Sequence, residues 1–323
     1  MILSYEIRNM VFRKENYNVP FQFYLCEDTG EQFTTEQLDE LNLNLLQNHY
    51  RSFHHIPLPD EIASIRKQYV VSPSRMGEIL GFGPNTYGTY EKGEVPNLSH
   101  SNLIKMAKDP AKFLGLVSDW ITKSDSVKAS LLAKTENLIK EKLKGDYFLE
   151  EYFMGSFPPG VLTGFRTPSF RRLAEVIVYF AQEVSCLKTK MNKLLFYADF
   201  EMFRCYGKSI TGTVYKAIPY GPVPNNFESI FERLAVQDII DLDYEDLPNG
   251  GQKQYLKGRK DRLFQTDLFS KEELVVLERI KNRFKDVKPW EIVEISHLEP
   301  AWIENQKNFI SYQFALDLKG VPL

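Results

Sequence analysis

The stretch from Leu187 to Leu234 constrains this chain most, because it sets two helical periodicities on either side of rigid punctuation. Leu187, Met191, Leu194, Leu195, Ala198 and Met202 fall at i, i+4, i+7, i+8, i+11 and i+15, one face of a helix. Phe227, Ile230, Phe231 and Leu234 repeat the pattern on a second helix. Between them, Gly207 and Gly212 can enter backbone regions closed to other residues, while Pro219, Pro222 and Pro224 fix φ and forbid a helix. The spacing predicts two helices, each burying an apolar stripe, joined by a stiff crossover.

The rest of the chain is expected to be folded and to hold two or three domains. It has 323 residues, 43% of them hydrophobic and 13% aromatic, enough to fill real cores. Its 40 basic and 43 acidic residues give a net charge of -3, so any contact with nucleic acid must come from a local patch. Cys26, Cys186 and Cys205 are odd in number and unpaired in spacing, which fits a reducing cytosol. No signal peptide opens the chain and no apolar run approaches the roughly 18 residues of a membrane span. The expectation is a cytoplasmic protein with no membrane partner.

Residues 1–50 read as a small β-containing module followed by a short helix. Met10-Val11-Phe12 and Phe21-Gln22-Phe23-Tyr24-Leu25 favour strands, and Asp28-Thr29-Gly30 signals a turn. Residues 51–113 carry a run of helix signals. Pro59-Asp60-Glu61 opens one helix with proline and acids in its first turn. Ser72-Pro73 opens the next, with Met76, Ile79 and Leu80 on its apolar face, and Gly81-Phe82-Gly83 makes a tight turn. The following segment, Pro84 to Gly93, is the candidate recognition helix of a helix-turn-helix.

Residues 114–165 read as a helical connector carrying Val127, Leu131 and Leu138, and residues 166–323 as an α-rich domain. That last domain opens on the helix face Phe170, Leu173, Ala174, Ile177, Ala181. Ile239-Ile240 and Gln254-Tyr255-Leu256, separated by Asn249-Gly250-Gly251, suggest a hairpin. Ser270-Lys271-Glu272-Glu273 is a capping box, and Trp290, Ile292, Ile295 and Trp302 sit on two short final helices. The fold class expected is mainly α, with a small N-terminal β module and a small β hairpin near the C-terminal end.

Two resemblances connect these patterns to function. The run Lys190-x-Asn192-Lys193-Leu194-Leu195-Phe196-Tyr197-Ala198-Asp199-Phe200, the motif Tyr206-Gly207-x-Ser209-Ile210-Thr211-Gly212 and the motif Pro219-Tyr220-Gly221-Pro222-Val223-Pro224 resemble the Panacea domain of antitoxins. Ile295-Ser296-His297-Leu298-Glu299-Pro300-Ala301-Trp302 resembles that family's distal motif, so the likeness spans roughly 166–320. It implies an antitoxin that binds a cognate protein toxin. Its candidate residues are Lys190, Asn192, Lys193, Tyr197, Asp199, Tyr206, Tyr215, Tyr220, Gly221, Pro222, His297, Glu299 and Trp302. Tyr206, Tyr215 and Tyr220 are candidate exposed anchors, with Tyr220 alternatively locking the Pro-Gly-Pro turn.

Residues 1–113 resemble the zinc module and Xre-like helix-turn-helix of MqsA-type antitoxins. The resemblance implies that Asn85, Thr86, Tyr87 and Thr89 approach bases of operator DNA and Lys92 a phosphate, and two-fold operators would suit a homodimer. Two departures matter. Gly88-Thr89 stands where relatives often carry Ser-Arg, which removes a bidentate reader of guanine. Threonine replaces the second thiolate after Cys26, so no zinc is expected and Cys26 reads as a small buried side chain. No phosphate loop, nucleophile elbow or metal-ligand helix appears, and neither catalysis nor a cofactor is expected. Toxin neutralisation stands beside a second reading, a stand-alone regulator or proteolytic adaptor that uses the domain for docking.

Overall fold

The computed structural model describes residues 1–142, 147–184, 186–247 and 251–322. It is mostly helical, with three small antiparallel sheets among the described residues. The chain divides into two compact units, Met1–Leu149 and Glu150–Leu323.

The first unit opens with a hairpin longer than the sequence suggests. β1 (Ile2–Phe12) and β2 (Glu15–Leu25) are each 11 residues and pair along their full length from Ile2↔Leu25 to Phe12↔Glu15. Their turn residues Arg13 and Lys14 both take positive φ, 49° and 70°, as a two-residue hairpin with strand-matched twist requires. That conformation is costly for arginine, and the Arg13 guanidinium is held by the carbonyls of Val95 and Pro96. β3 (Gln32–Phe33) adds a short third strand at Tyr24 and Leu25.

α1 (Glu36–Phe53), 18 residues rather than a short helix, starts at the Thr35 cap and buries Leu38, Leu41, Leu45 and Leu46. α2 (Pro59–Lys67), α3 (Pro73–Leu80), α4 (Thr86–Glu91), α5 (Leu98–Ala107) and α6 (Pro110–Asp119) follow. The start and stop signals of α3 act as read: the Ser72 hydroxyl accepts from the Arg75 N–H, Pro73 is first, and Gly81 ends it at φ 72°. Ile62, Ile65, Met76, Ile79, Tyr87, Ile104 and Phe113 fill one core, in which Tyr69 stacks on Phe113 at 3.8 Å. α7 (Asp125–Lys142) contributes Leu131 to that core, so Leu131 and the partly buried Leu138 serve this unit's packing.

α8 (Tyr147–Met154) spans the division between the units, and in the second unit α9 (Phe170–Val184) leads through β4 (Cys186–Leu187) into α10 (Lys188–Tyr206). The stripe expected on α10 is too narrow a description. Every residue from Lys190 to Arg204 is buried, polar ones included, so α10 is the axis of the unit rather than one of its outer faces. The crossover after it is a β hairpin: β5 (Tyr215–Ile218) pairs with β6 (Gly221–Pro224) from Tyr215↔Pro224 to Ile218↔Gly221. The prolines of β6 exclude helix, as read, but an edge position tolerates them in a strand.

α11 (Phe227–Val236) buries Ile230, Phe231 and Leu234. β7 (Ile240–Asp246) and β8 (Gln252–Gly258) form the expected hairpin, although Asn249 and Gly250 of its turn lie outside the described residues. α12 (Lys271–Phe284) starts in the Ser270/Glu273 capping box with both reciprocal bonds made. α13 (Pro289–His297) and α14 (Pro300–Ile303) are the two short final helices. β9 (Phe309–Ile310) then returns to pair with β5.

Candidate functional site

The motif residues of the second unit meet where α10, the β5–β6 hairpin and α13–α14 pack together. Each is held by identifiable chemistry. Asp199, fully buried on α10, accepts four hydrogen bonds. The Ile210 and Thr211 N–H groups donate to Oδ1 at 2.8 and 2.9 Å, and the Thr211 and Tyr215 hydroxyls donate to Oδ2 at 2.5 and 2.8 Å. Burial raises its pKa, and these donors pull against that rise. The carboxylate therefore staples the Ser209–Gly212 loop and the start of β5 to α10.

Glu299 plays the same part at the other end of the site. It accepts from the Tyr197 hydroxyl at 3.0 Å and from the backbone N–H groups of Lys319 and Gly320 at 2.9 and 2.7 Å. Burial again raises its pKa against those bonds. Lys190 donates to the carbonyls of Lys285 and Val287 at 3.0 and 2.7 Å, satisfying the chain just past α12.

Lys193 is the least ordinary member. Its side chain is wholly buried and its ammonium donates to the Pro222 carbonyl at 2.9 Å. Burial drops its pKa to about 7. Gly221 admits the lysine: at φ +96°, a Cβ there would stand 2.7 Å from Lys193 Nζ and 2.6 Å from Ser296 Oγ. Above it the His297 ring stacks on Trp302, 3.9 Å apart and 13° from parallel. Burial and then the nearby Lys193 lower the His297 pKa. The Trp302 indole N–H donates to the Ile218 carbonyl at 2.7 Å, so α13 and α14 grip the hairpin beside its turn. Asn192 is buried on the same helix.

One expected anchor, Tyr215, is corrected by this geometry, and so is the alternative role given to Tyr220. Tyr215 is completely buried and bonded to Asp199, so it cannot meet a partner. Tyr220 is 71% exposed at the hairpin turn, so it does not lock that turn by packing. Tyr206, at the end of α10, is 41% exposed. Lys190, Asn192, Lys193, Tyr197, Asp199, Gly221, Pro222 and Glu299 lie in the interior, where they build the scaffold that carries Tyr220 and Trp302. The motifs include Thr211 and Ser296 without giving either a role, and Gly320 carries no sequence signal, because hydroxyls and backbone N–H groups have no pattern of their own.

In the first unit, α4 runs only from Thr86 to Glu91. Asn85 and Thr89 are exposed one turn apart, Lys92 is exposed at the helix end, and Thr86 is half-buried with its hydroxyl on the Phe82 carbonyl. Tyr87 is a correction: it is buried in the core and its hydroxyl donates to the Ile62 carbonyl at 2.8 Å, so no base can reach it. Cys26 is half-exposed rather than buried. Among the described residues no three His, Cys, Asp or Glu side chains cluster as metal ligands, and no helix is long and apolar enough to cross a membrane.

Residues 191–303 match the family described as Antitoxin SocA-like, Panacea domain. The match begins in α10 and ends in α14, enclosing Lys193, Tyr197, Asp199, Gly221, His297, Glu299 and Trp302 but not Lys190 or Gly320, and it leaves the first unit unmatched. No curated protein matches the chain, and no solved structure does.

Proposed function

We propose that this protein is an antitoxin whose second unit binds and silences a protein toxin, acting by occlusion rather than catalysis. The match of residues 191–303 to the Panacea antitoxin domain carries the reading. The surface supports it: Tyr220 at the hairpin turn and Leu298 and Ile303 at the ends of α13 and α14 are exposed, on elements that the Trp302 indole ties to the hairpin through the Ile218 carbonyl. Tyrosine and tryptophan on a rigid base are the residue types that anchor interfaces, since they bury large area at small entropic cost. Beneath this surface Lys190, Lys193, Asp199 and Glu299 are engaged in holding the scaffold, which favours binding over chemistry.

The test is to express the neighbouring open reading frame with and without this chain, then to co-purify the two. Growth arrest relieved by this protein, with a stable complex recovered, is the expected result. Rescue without a complex, or no arrest, would move the weight to the regulator or adaptor reading. Operator binding by α4 is a further part of the proposal, supported by the outward placement of Asn85, Thr89 and Lys92. Six acids and six bases between Pro59 and Pro110 leave that region neutral, so such binding should be modest, with the shallow salt dependence of few phosphate contacts.

A further inference from the structure

We propose that β1 pairs antiparallel, about a two-fold axis at Ile7, with β1 of a second copy of this chain, joining two three-stranded sheets into one. β1 is the outer strand of the order β1-β2-β3 and runs 11 residues without glycine or proline. Such a strand offers a row of backbone donors and acceptors, which soluble proteins ordinarily blunt or cover. The direction those groups face can be read from β2. Gln22, opposite Tyr5, sends its N–H and C=O to the Asn42 side chain of α1, at 2.8 and 2.9 Å, and so away from β1. In an antiparallel ladder the bonded and non-bonded pairs alternate. Leu3, Ile7, Asn9 and Val11, in step with Tyr5, therefore direct their backbone groups to the open edge, where Ile7 is 60% and Val11 65% exposed.

The sequence of β1 complements itself in one register. Centred on Ile7, each residue faces a partner so that the two numbers sum to 14. Ile2 meets Phe12, Leu3 meets Val11 and Ile7 meets Ile7, and all eleven residues pair. The same register sets Glu6 across from Arg8 of the second copy, twice. These two already bond within the chain at 2.6 Å on one face of the sheet, so the dimer closes a ring of four alternating charges. Slips of two residues along the edge instead oppose Glu6 to Glu6 or Arg8 to Arg8, and like charges facing each other across strands are unfavourable. The apolar stripe and the charge pattern thus select the same arrangement, and they select a second copy as its occupant.

Sedimentation of the full chain over a concentration series tests this. A dimer is expected, with Ile7→Lys sedimenting as a folded monomer of wild-type secondary structure, because Ile7 lies largely in solvent. Ile7→Cys should cross-link to a disulfide dimer under mild oxidation, since only the residue on the axis faces itself, whereas Ile2→Cys should not exceed the wild-type background. A monomeric wild-type chain, a dimer indifferent to Ile7→Lys, or equal cross-linking through position 2 would each overturn the proposal. So would protection of the β1 amides from hydrogen exchange only when another protein is added, which would give the edge to that partner.

Discussion

Asp199 shows what one buried carboxylate can organise. Its four donors come from the loop at Ile210–Thr211 and from Tyr215 at the start of β5. Removing the acceptor leaves two backbone N–H groups and two hydroxyls buried, at about 1–3 kcal/mol for each that finds no substitute. Asp199→Ala should therefore lower the denaturation midpoint severely, and Asp199→Asn less so because one oxygen remains; equal stability of Asp199→Ala and wild type in urea would refute this role. Lys193 supplies a pH signature. Its folded pKa is about 7 against an ordinary 10.5, so between those values the unfolded chain binds the extra proton. Stability contributed by this residue rises with pH across that window, by roughly 1.4 kcal/mol per unit, and is constant well below pH 7. Urea titrations of wild type and Lys193→Met should diverge as pH is raised from 7 to 10 and run parallel in acid.

At the scale of elements, the β5–β6 hairpin is the piece on which the site depends. Its turn presents Tyr220, its first strand is bonded to Asp199, and its second accepts the Lys193 ammonium. Gly221 is where these demands collide. Alanine there combines a strained positive φ with a methyl group 2.6–2.7 Å from Ser296 and Lys193. The expected cost is roughly 2–4 kcal/mol, with loss of partner binding as the hairpin shifts. A melting temperature within a degree or two of wild type would show that the neighbours yield more easily than their burial implies.

For the whole molecule, the division into two units predicts that two activities separate by mutation. Asn85→Ala with Lys92→Ala should weaken operator retention at low salt and leave toxin rescue intact. Tyr220→Ala should do the reverse, weakening co-purification by about tenfold or more, in keeping with loss of a single aromatic anchor. Both variants alter exposed side chains, so neither should disturb folding. A single variant that abolished both activities while remaining folded would mean that the units do not act independently.

What the sequence determined alone is local and chemical. The Ser72 and Ser270 caps, the glycine stop after α3, the proline that starts α2 and the apolar faces of α9 and α11 act within a few residues along the chain, so a linear pattern reveals them. The order of the Panacea motifs is equally a property of the string. Only tertiary structure decided which side of each pattern counts. Arg13 and Lys14 make a hairpin turn without a turn-former's sequence, because carbonyls more than eighty residues away hold the arginine in a left-handed conformation. Tyr87 and Tyr215 look like surface readers in sequence, yet a hydroxyl with a buried partner, the Ile62 carbonyl or the Asp199 carboxylate, is as stable inside as a hydrocarbon ring. The polar residues of α10 break its apolar stripe on paper and complete its burial in space, because their partners lie on loops and helices that folding brings together. Hydrogen bonds between distant residues have no period, and that is why the scaffold beneath the site could be seen only once the chain was folded.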